Sequence, residues 1–173
     1  MEKTNNSPPP VICDAGPLIH LDELGCLDLL ADFKSIIVPD AVCTEVESHR
    51  PAVFSRPQIS LSRINPTQPV PQKLSNLTQI FSLHAGEWEA LRLALEFPNS
   101  IFLTDDTAAR LAAGNLGIKA HGTIGILIRA IRRKQRTIDE ILQILKALPE
   151  RSTLHLKREL LESVVNQVRH GKV

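Results

Sequence analysis

Short apolar runs alternate along this chain with longer segments in which apolar residues recur every three or four positions. The short runs are rich in β-branched residues and predict buried strands, whereas the longer periodic segments predict helices. The predicted strands are Val11–Asp14, Ser35–Val38, Gln58–Ile64, Ser100–Thr104 and Ile118–Ala120. Strands that alternate with helices predict an α/β fold, here a three-layer α/β/α domain with a mainly parallel central sheet.

The helical segments are longer and are separated by glycine, proline or polar residues. Pro17 suits the first position of a helix, and the glycine that follows in this segment predicts two short helices up to residue 30. The other predicted helices are Pro39–Ser48, Ala85–Phe97, Thr107–Asn115, Thr123–Lys134, Ile138–Leu148 and Leu154–Val168. Residues 50–72 are rich in proline and polar groups, so the strand at Gln58–Ile64 is the only element predicted there.

The two ends of the chain differ from its middle. Residues 1–10 are polar and proline-rich and are predicted to form a disordered tail. Residues 11–150 are predicted to form one folded domain, and residues 151–173 a C-terminal helical extension. The last helix carries apolar residues at helical spacing, which indicates packing on its own domain or, alternatively, an interface for a second copy or a partner protein.

Acidic residues lie at the ends of two of the predicted strands. Asp14 follows the run VIC, and Asp105 and Asp106 follow the run IFLT. Because ligands of open parallel sheets bind at the carboxyl ends of the strands, these acids are expected to meet at one edge of the sheet. Negative charges that lie close together are costly unless a cation neutralises them, so the pattern predicts a metal site. Taken singly, each aspartate is equally well explained as the cap of the helix that follows it.

Helical periodicity adds two glutamates to these strand-end acids. Glu45 shares the apolar face of its helix with Val42 and Val46, and Glu87 shares a face with Ala90 and Leu91. Isolated carboxylates are rarely placed on a buried face, because desolvation without a partner is expensive. The simpler explanation for either glutamate alone is an arginine partner or a side chain that reaches past the helix edge to solvent.

Together these acids form an oxygen-only set of candidate ligands, with no histidine or cysteine at metal-binding spacing. Such sets suit hard cations, so the predicted metal is Mg²⁺ or Mn²⁺. Ions of this kind activate water and stabilise the attacking and leaving oxygens in phosphodiester hydrolysis. The residues alone therefore predict metal-assisted hydrolysis of a phosphate ester.

Composition and charge narrow the function further. The 173 residues are 43% hydrophobic and 23% charged, with a net charge of +1 that becomes more positive if metal neutralises the acids. No apolar run approaches the roughly 18 residues of a membrane helix, and the first ten residues lack the apolar core of a secretory signal. The three cysteines lack CxxC spacing and are predicted to be buried thiols in a reducing cytoplasm. Together these features predict a cytoplasmic protein that does not contact membranes.

Several segments, in this order and spacing, resemble the PIN-domain family, in the branch of toxin-like ribonucleases from bacterial toxin–antitoxin systems. They are CDAGPLIHLDELGCLDLL, IIVPDAVCTEVE, LHAGEWEALRLALE and IFLTDDTAARLAAGNLGIKAHGTIGILIRA, and with the following helices they span roughly residues 11–148. The resemblance implies a Mg²⁺- or Mn²⁺-dependent endoribonuclease that acts on RNA, with an antitoxin protein as partner and a homodimer as the assembly. Residues 11–150 would then be the nuclease domain.

By the same resemblance, the catalytic and metal-binding acids are Asp14, Glu45, Glu87 and Asp106. Many members of the family have aspartate at the third position, where this chain has Glu87 with one more methylene. Asp105 is an additional acid, so either Asp105 or Asp106 is the metal ligand of that pair. Thr104 is expected to orient a water or a ligand carboxylate, or to be an ordinary strand-end residue.

Basic residues near the end of one predicted helix offer a second candidate surface. They are Arg129, Arg132, Arg133 and Lys134. Cations there complement the helix dipole in a solvated last turn, or alternatively they bind RNA phosphates. Arg110, one helical turn after Asp106, either pairs with a site acid or binds a phosphate.

Two alternative functions would explain parts of the same sequence pattern. The first is a PIN-like module that has lost catalysis and only binds RNA or protein, so that the acids serve as caps. The second is a phospho-acceptor receiver-like domain, which also clusters aspartates at strand ends but needs an acidic pair at the first strand. Here the first strand ends in Asp14 alone.

Overall fold

Five short strands form one parallel sheet in the computed structural model, which describes residues 9–172 except the side chain of Thr78. The strands are β1 (Val11–Cys13), β2 (Ile36–Val38), β3 (Leu61–Arg63), β4 (Ile101–Leu103) and β5 (Lys119–His121). Their order is β3-β2-β1-β4-β5, and every neighbouring pair is parallel. The predicted α/β architecture is confirmed. Residues 1–8, most of the tail that was predicted to be disordered, and Val173 lie outside the described residues.

Eight α-helices connect and cover the strands in the described part of the chain. They are α1 (Ala15–Glu23), α2 (Asp40–His49), α3 (Gln72–Thr78), α4 (Ala85–Glu96), α5 (Thr107–Asn115), α6 (Thr123–Arg132), α7 (Ile138–Arg151) and α8 (Arg158–Arg169). Short 3-10 turns cover Leu27–Leu30 and Pro51–Ser55. The predicted split of the first helical segment into two pieces is therefore confirmed, with a 3-10 turn as the second piece.

Three differences from the predicted helices have local reasons. α1 begins at Ala15 rather than Pro17, because a proline in the first turn of a helix lacks only an N–H that needs no helical partner. α3 was not predicted, since it lies in a polar, proline-flanked stretch. α8 begins at Arg158, because α7 continues to Arg151 and residues 152–157 have no regular structure.

Side chains alternate between two buried cores along each central strand. Val11 and Cys13 of β1 point into one core, whereas Ile12 points into the other. In β4, Leu103 and Phe102 are divided in the same way. Since both faces of the sheet are covered, the sheet is the middle of three layers, as the near-continuous apolar runs predicted.

The two cores contain different helices. Residues of α1, α2, α6, α7 and α8 belong to the first core, and those of α3, α4 and α5 to the second. In α8, Val164 and Val168 are buried in the first core, so this helix packs on its own chain, while Leu160 stays 52% exposed. Cys13, Cys26 and Cys43 are buried and unpaired, as predicted. No helix in residues 9–172 has the length and apolarity to cross a bilayer.

The candidate acids lie at the switch point of the sheet, where the order of the strands reverses. The chain runs outward from β1 to β3 on one side, and β4 then returns to pair with β1 on the other. In doubly wound sheets, ligands bind at this switch point, outside the carboxyl ends of the strands. The same order excludes the receiver-like alternative, because receiver sheets follow the order 2-1-3-4-5.

Candidate active site

A cleft of about 550 Å³ opens at the carboxyl ends of β1 and β4. α1, α2, α4 and the segment between α7 and α8 form its walls. The residues that line it are Asp14, Gly16, Ile19, His20, Glu23, Glu45, His49, Arg50, Glu87, Asp105, Asp106, Thr153, Leu154 and His155. Every acid that the sequence selected therefore faces one cleft, although the acids come from four separate parts of the chain.

Asp14 is the most deeply buried of these acids, at 5% exposure. It follows β1 directly, and its backbone N–H donates to the carbonyl of Leu103 at 2.9 Å, so the ends of β1 and β4 are held together. Burial raises the pKa of Asp14 from its ordinary 3.8 to about 7. Hydrogen bonds from Ala15 N–H and Thr104 lower this pKa, whereas the charges of Glu87 and Glu45 raise it.

Glu45 reaches the same point from α2. The residue is exposed, which differs from the predicted position on the buried face; Val42, Cys43 and Val46 fill that face instead. A methyl group built on Gly86 of α4 would lie 3.5 Å from Glu45 Oε2 and 3.6 Å from Asp14 Oδ1. The absence of a side chain at Gly86 therefore leaves room between two carboxylates.

Glu87 is buried, as its helical phase predicted, and it has a local structural role. It is the third residue of α4, and its Oε2 accepts a hydrogen bond from the backbone N–H of His84 at 2.8 Å. This is a capping box, which stabilises the start of the helix. Burial raises the pKa of Glu87, and the charge of Asp106 raises it further.

Asp106 caps α5, one of the two explanations that the sequence left open. Its Oδ1 accepts a hydrogen bond from Ala109 N–H at 2.7 Å. Thr104 Oγ1 accepts from the backbone N–H of Asp106 at 3.2 Å and donates to Asp14 Oδ2 at 3.0 Å. Thr104, which is fully buried, thus connects the acids at the ends of β1 and β4.

Both carboxylate oxygens of Asp105 take part in hydrogen bonds within the protein. Oδ1 accepts from the backbone N–H of Thr123 at 2.7 Å, and Oδ2 accepts from Thr123 Oγ1 at 2.6 Å and lies 2.8 Å from His20 Nδ1. A methyl group built on Gly122 would lie 2.5 Å from Asp105 Oδ1, so glycine is required there for the carboxylate to reach Thr123. These contacts favour Asp106 over Asp105 as the metal ligand of the pair.

The candidate ligand atoms in the cleft are of the chemical type that a hard divalent cation prefers. Asp14, Glu45, Glu87 and Asp106 offer only carboxylate oxygens, which Mg²⁺ and Mn²⁺ prefer. Among residues 9–172, no lysine or arginine forms an ion pair with any of these four acids. As the side chains are placed, no group of three within the described residues is arranged to hold an ion. Coordination would therefore require some of these side chains to move.

Several residues of the cleft were not predicted from the sequence as site residues. They are His20, Glu23, His49, Arg50, Thr153 and His155. Although burial alone would raise it, hydrogen bonds from Thr153 and Ser152 hold the pKa of Glu23 below its ordinary range. Those bonds fasten the segment after α7 against α1. Such contacts join distant parts of the chain, so no spacing in the sequence indicates them.

The candidate RNA-binding arginines lie outside the cleft. Arg129 and Arg133 form ion pairs with Asp32, and the Arg129 guanidinium lies 4.4 Å from the centre of the Phe33 ring. Arg132 and Lys134 are exposed and form no ion pair within residues 9–172. Arg110 is also exposed; its guanidinium lies beside Gly122 and forms no ion pair with a described acid.

The comparison with protein families agrees with this arrangement. The model of a PIN domain family matches residues 10–170, which is nearly the whole chain. This chain belongs to the PIN domain family. The comparison with curated proteins found no match. PIN domains are generally nucleases and typically use divalent metal ions, so the cleft of this PIN domain is a candidate nuclease site.

Proposed function

We propose that this PIN domain is a Mg²⁺- or Mn²⁺-dependent endoribonuclease whose site consists of Asp14, Glu45, Glu87 and Asp106. The observation that supports this most is the environment of Asp14. Its carboxylate is buried at the switch point of the sheet, faces two other acids, and has no lysine or arginine partner among the described residues. A buried charge without a partner is expensive, and a divalent cation is the partner that this oxygen-rich cleft suits.

In such sites the metal activates a water molecule and stabilises the leaving oxygen of the phosphodiester. The protein's own groups hold and orient the ligands. Thr104 fixes one oxygen of Asp14 and the backbone of Asp106, and Gly86 keeps space open between Asp14 and Glu45.

The biological setting is a further part of the proposal. The resemblance to toxin-like ribonucleases supports RNA as the substrate, a toxin role in a toxin–antitoxin pair, and an antitoxin protein as partner. A homodimer and a cytoplasmic location belong to the same proposal. The exposed Leu160 of α8 offers one apolar side chain for contact with another chain.

Exposed cations outside the cleft are proposed to assist RNA binding. Arg110, Arg132 and Lys134 are exposed and without ion pairs in the described part of the chain, so their charges are available to phosphates. Arg129 and Arg133 contribute less, because Asp32 already neutralises part of their charge. Binding through such contacts falls with added salt.

A second candidate function is a PIN module that binds RNA or protein without cleaving it. It is favoured by the local roles of two acids, because Glu87 completes a capping box and Asp106 caps α5. Caps alone account for these two residues in a protein that never binds metal. They do not account for Asp14, whose side chain forms no cap hydrogen bond in α1.

Calorimetric titration with Mn²⁺ distinguishes the two candidates. The nuclease proposal expects saturable binding at pH 7.5 that is lost in Asp14→Asn and kept in Glu140→Gln, whose side chain lies in a capping box outside the cleft. Absence of Mn²⁺ binding by the unmodified protein would support the inactive module instead. Equal binding by the unmodified protein and Asp14→Asn would contradict the assigned site.

A further inference from the structure

His20 lies in the candidate nuclease cleft without any role in holding a metal. It is six residues after Asp14 on α1, and its ring lines the same cleft. Its Nδ1 lies 2.8 Å from Asp105 Oδ2, and the side chains of His20 and Asp105 are only 14% and 11% exposed. The pair is therefore held in one arrangement by burial on most sides.

The hydrogen-bond network around Asp105 determines which nitrogen of His20 carries a hydrogen. An ionised carboxylate only accepts hydrogen bonds, and Asp105 already accepts two from Thr123. The contact with His20 therefore requires a hydrogen on Nδ1. In the neutral ring the other nitrogen, Nε2, then has a free lone pair and acts as an acceptor.

Nε2 of His20 has no hydrogen-bond partner within residues 9–172, although the ring faces the cleft. The carboxylates that line the cleft donate no hydrogen bond when they are ionised. Phosphate oxygens of a nucleic acid also only accept. The group of a nucleic-acid backbone that donates is the ribose 2′-hydroxyl, which RNA has and DNA lacks.

We propose that His20 Nε2 accepts a hydrogen bond from a ribose 2′-hydroxyl, so that His20 makes the cleft selective for RNA over DNA. Asp105 is then a positioning residue, since it fixes the ring orientation and keeps the hydrogen on Nδ1. This inference rests on the proposed function, because it assumes that a nucleic acid enters this cleft. It also gives a role to Asp105, which is not among the four proposed metal ligands.

Binding measurements test this inference without depending on turnover. In the Asp14→Asn background, with EDTA present, fluorescence anisotropy compares single-stranded RNA with DNA of the same sequence. One hydrogen bond of this kind is expected to give a preference for RNA of about ten-fold. His20→Ala should reduce this ratio to about one, whereas His20→Gln should keep it, because its amide presents a donor to Asp105 and an acceptor to the cleft.

Asp105→Asn provides the measurement that a merely structural role would not change. The asparagine amide can donate to His20 Nδ1, which moves the ring hydrogen to Nε2 and removes the acceptor. The preference for RNA should then disappear although His20 is present, and the ¹⁵N spectrum of the ring should show the change of tautomer. His155→Ala, at another histidine that lines the cleft, should change both affinities by the same factor.

The outcomes separate this inference from the proposed function. A preference for RNA that survives His20→Ala, equal weakening of RNA and DNA binding, or no preference in the starting protein would each overturn the inference. The first two results are compatible with metal-dependent RNA cleavage by the unmodified protein. Conversely, a His20-dependent preference for RNA in a protein that cleaves nothing with Mn²⁺ would support the inference and refute only the nuclease proposal.

Discussion

Thr104 donates a hydrogen bond of 3.0 Å to Asp14 across the gap between β4 and β1. The donor and the acceptor are ninety positions apart in the chain, and both are buried. The contact stabilises the ionised form of Asp14, which burial disfavours. Since the same hydroxyl accepts from the backbone of Asp106, one threonine orients two of the four acids.

Thr104→Val should weaken both the fold and the site, because it leaves buried polar groups without their partner. The free energy of unfolding is expected to fall by about 1–3 kcal/mol in urea denaturation. The pKa of Asp14 should rise further, which moves the midpoint of Mn²⁺ binding to higher pH. Thr107→Val, at an exposed position, serves as the control and should change neither quantity measurably. Unchanged metal binding in Thr104→Val would show that the threonine is only a strand-end residue.

Asp14 should make the metal-free protein less stable as the pH rises from about 4 to about 7. Below this range the residue is protonated in both states. Within it, the unfolded chain loses the proton at the ordinary pKa of 3.8 while the folded chain keeps it up to about 7. The unfolded state then binds fewer protons, so each pH unit favours unfolding, by up to about 4 kcal/mol in total.

Asp14→Asn removes this penalty. Without metal, the variant should be more stable than the unmodified protein at pH 8 and about equally stable at pH 4, as measured by urea denaturation. Mn²⁺ should reverse the order at pH 8 by stabilising only the unmodified protein. A variant that is less stable at pH 8 in EDTA would contradict the raised pKa.

Glu87 combines a capping role with a proposed metal ligand, and two substitutions separate these roles. Glu87→Gln keeps an oxygen for the backbone N–H of His84 but loses the charge, so it should retain stability and lose Mn²⁺ affinity. Glu87→Ala should lose both, with a stability cost of about 1 kcal/mol. Thermal unfolding and calorimetry measure the two effects.

The second capping box of the chain provides the matched control for Glu87. In α7, Glu140 accepts from the backbone N–H of Thr137 at 2.7 Å and lies outside the cleft. Glu140→Ala should therefore reduce stability by a similar amount without affecting Mn²⁺ affinity. Loss of metal binding in this variant would mean that the measured affinity reports helix stability rather than the site.

Gly86→Ala should impair metal binding through space alone. The added methyl group would lie 3.0 Å from Val42 Cγ2 and within 3.6 Å of the oxygens of Asp14 and Glu45. Glycine-to-alanine changes in a helix interior otherwise stabilise by roughly 0.5–1 kcal/mol. Gly114→Ala in α5, where nothing lies within 4 Å, should give that stabilisation and leave metal affinity unchanged. Equal Mn²⁺ affinity in both variants would show that Gly86 does not hold space for an ion.

Much of the fold could be predicted from local patterns. The apolar runs predicted the central strands β1, β2 and β4 and the three layers, because parallel strands buried on both faces must be apolar along their length. The edge strands β3 and β5 are more polar and less buried, so the apolar pattern is weaker there. The three acids at the strand ends could be placed at one edge, because the carboxyl ends of parallel strands meet there. α3 could not be predicted, since a short helix in a polar stretch depends on the burial of Leu74 and Leu77 in the tertiary structure.

The site was less accessible from the sequence than the fold. Helical phase selected Glu87 and Glu45, and the structure brings both to the cleft, but it could not show that Glu45 is exposed and reaches Asp14 from the edge of its helix. His20 and Asp105 are 85 positions apart, so their contact depends entirely on tertiary packing. The assignment of these residues to catalysis stays a prediction.

Incubation of the purified protein with a mixed single-stranded RNA substrate, in Mn²⁺ or in EDTA, tests the proposed function itself. We expect internal cleavage in Mn²⁺, none in EDTA, and none for Asp14→Asn in Mn²⁺ although that variant remains folded. Cleavage that persists in EDTA, or in folded Asp14→Asn, would contradict the metal site at the switch point of the sheet.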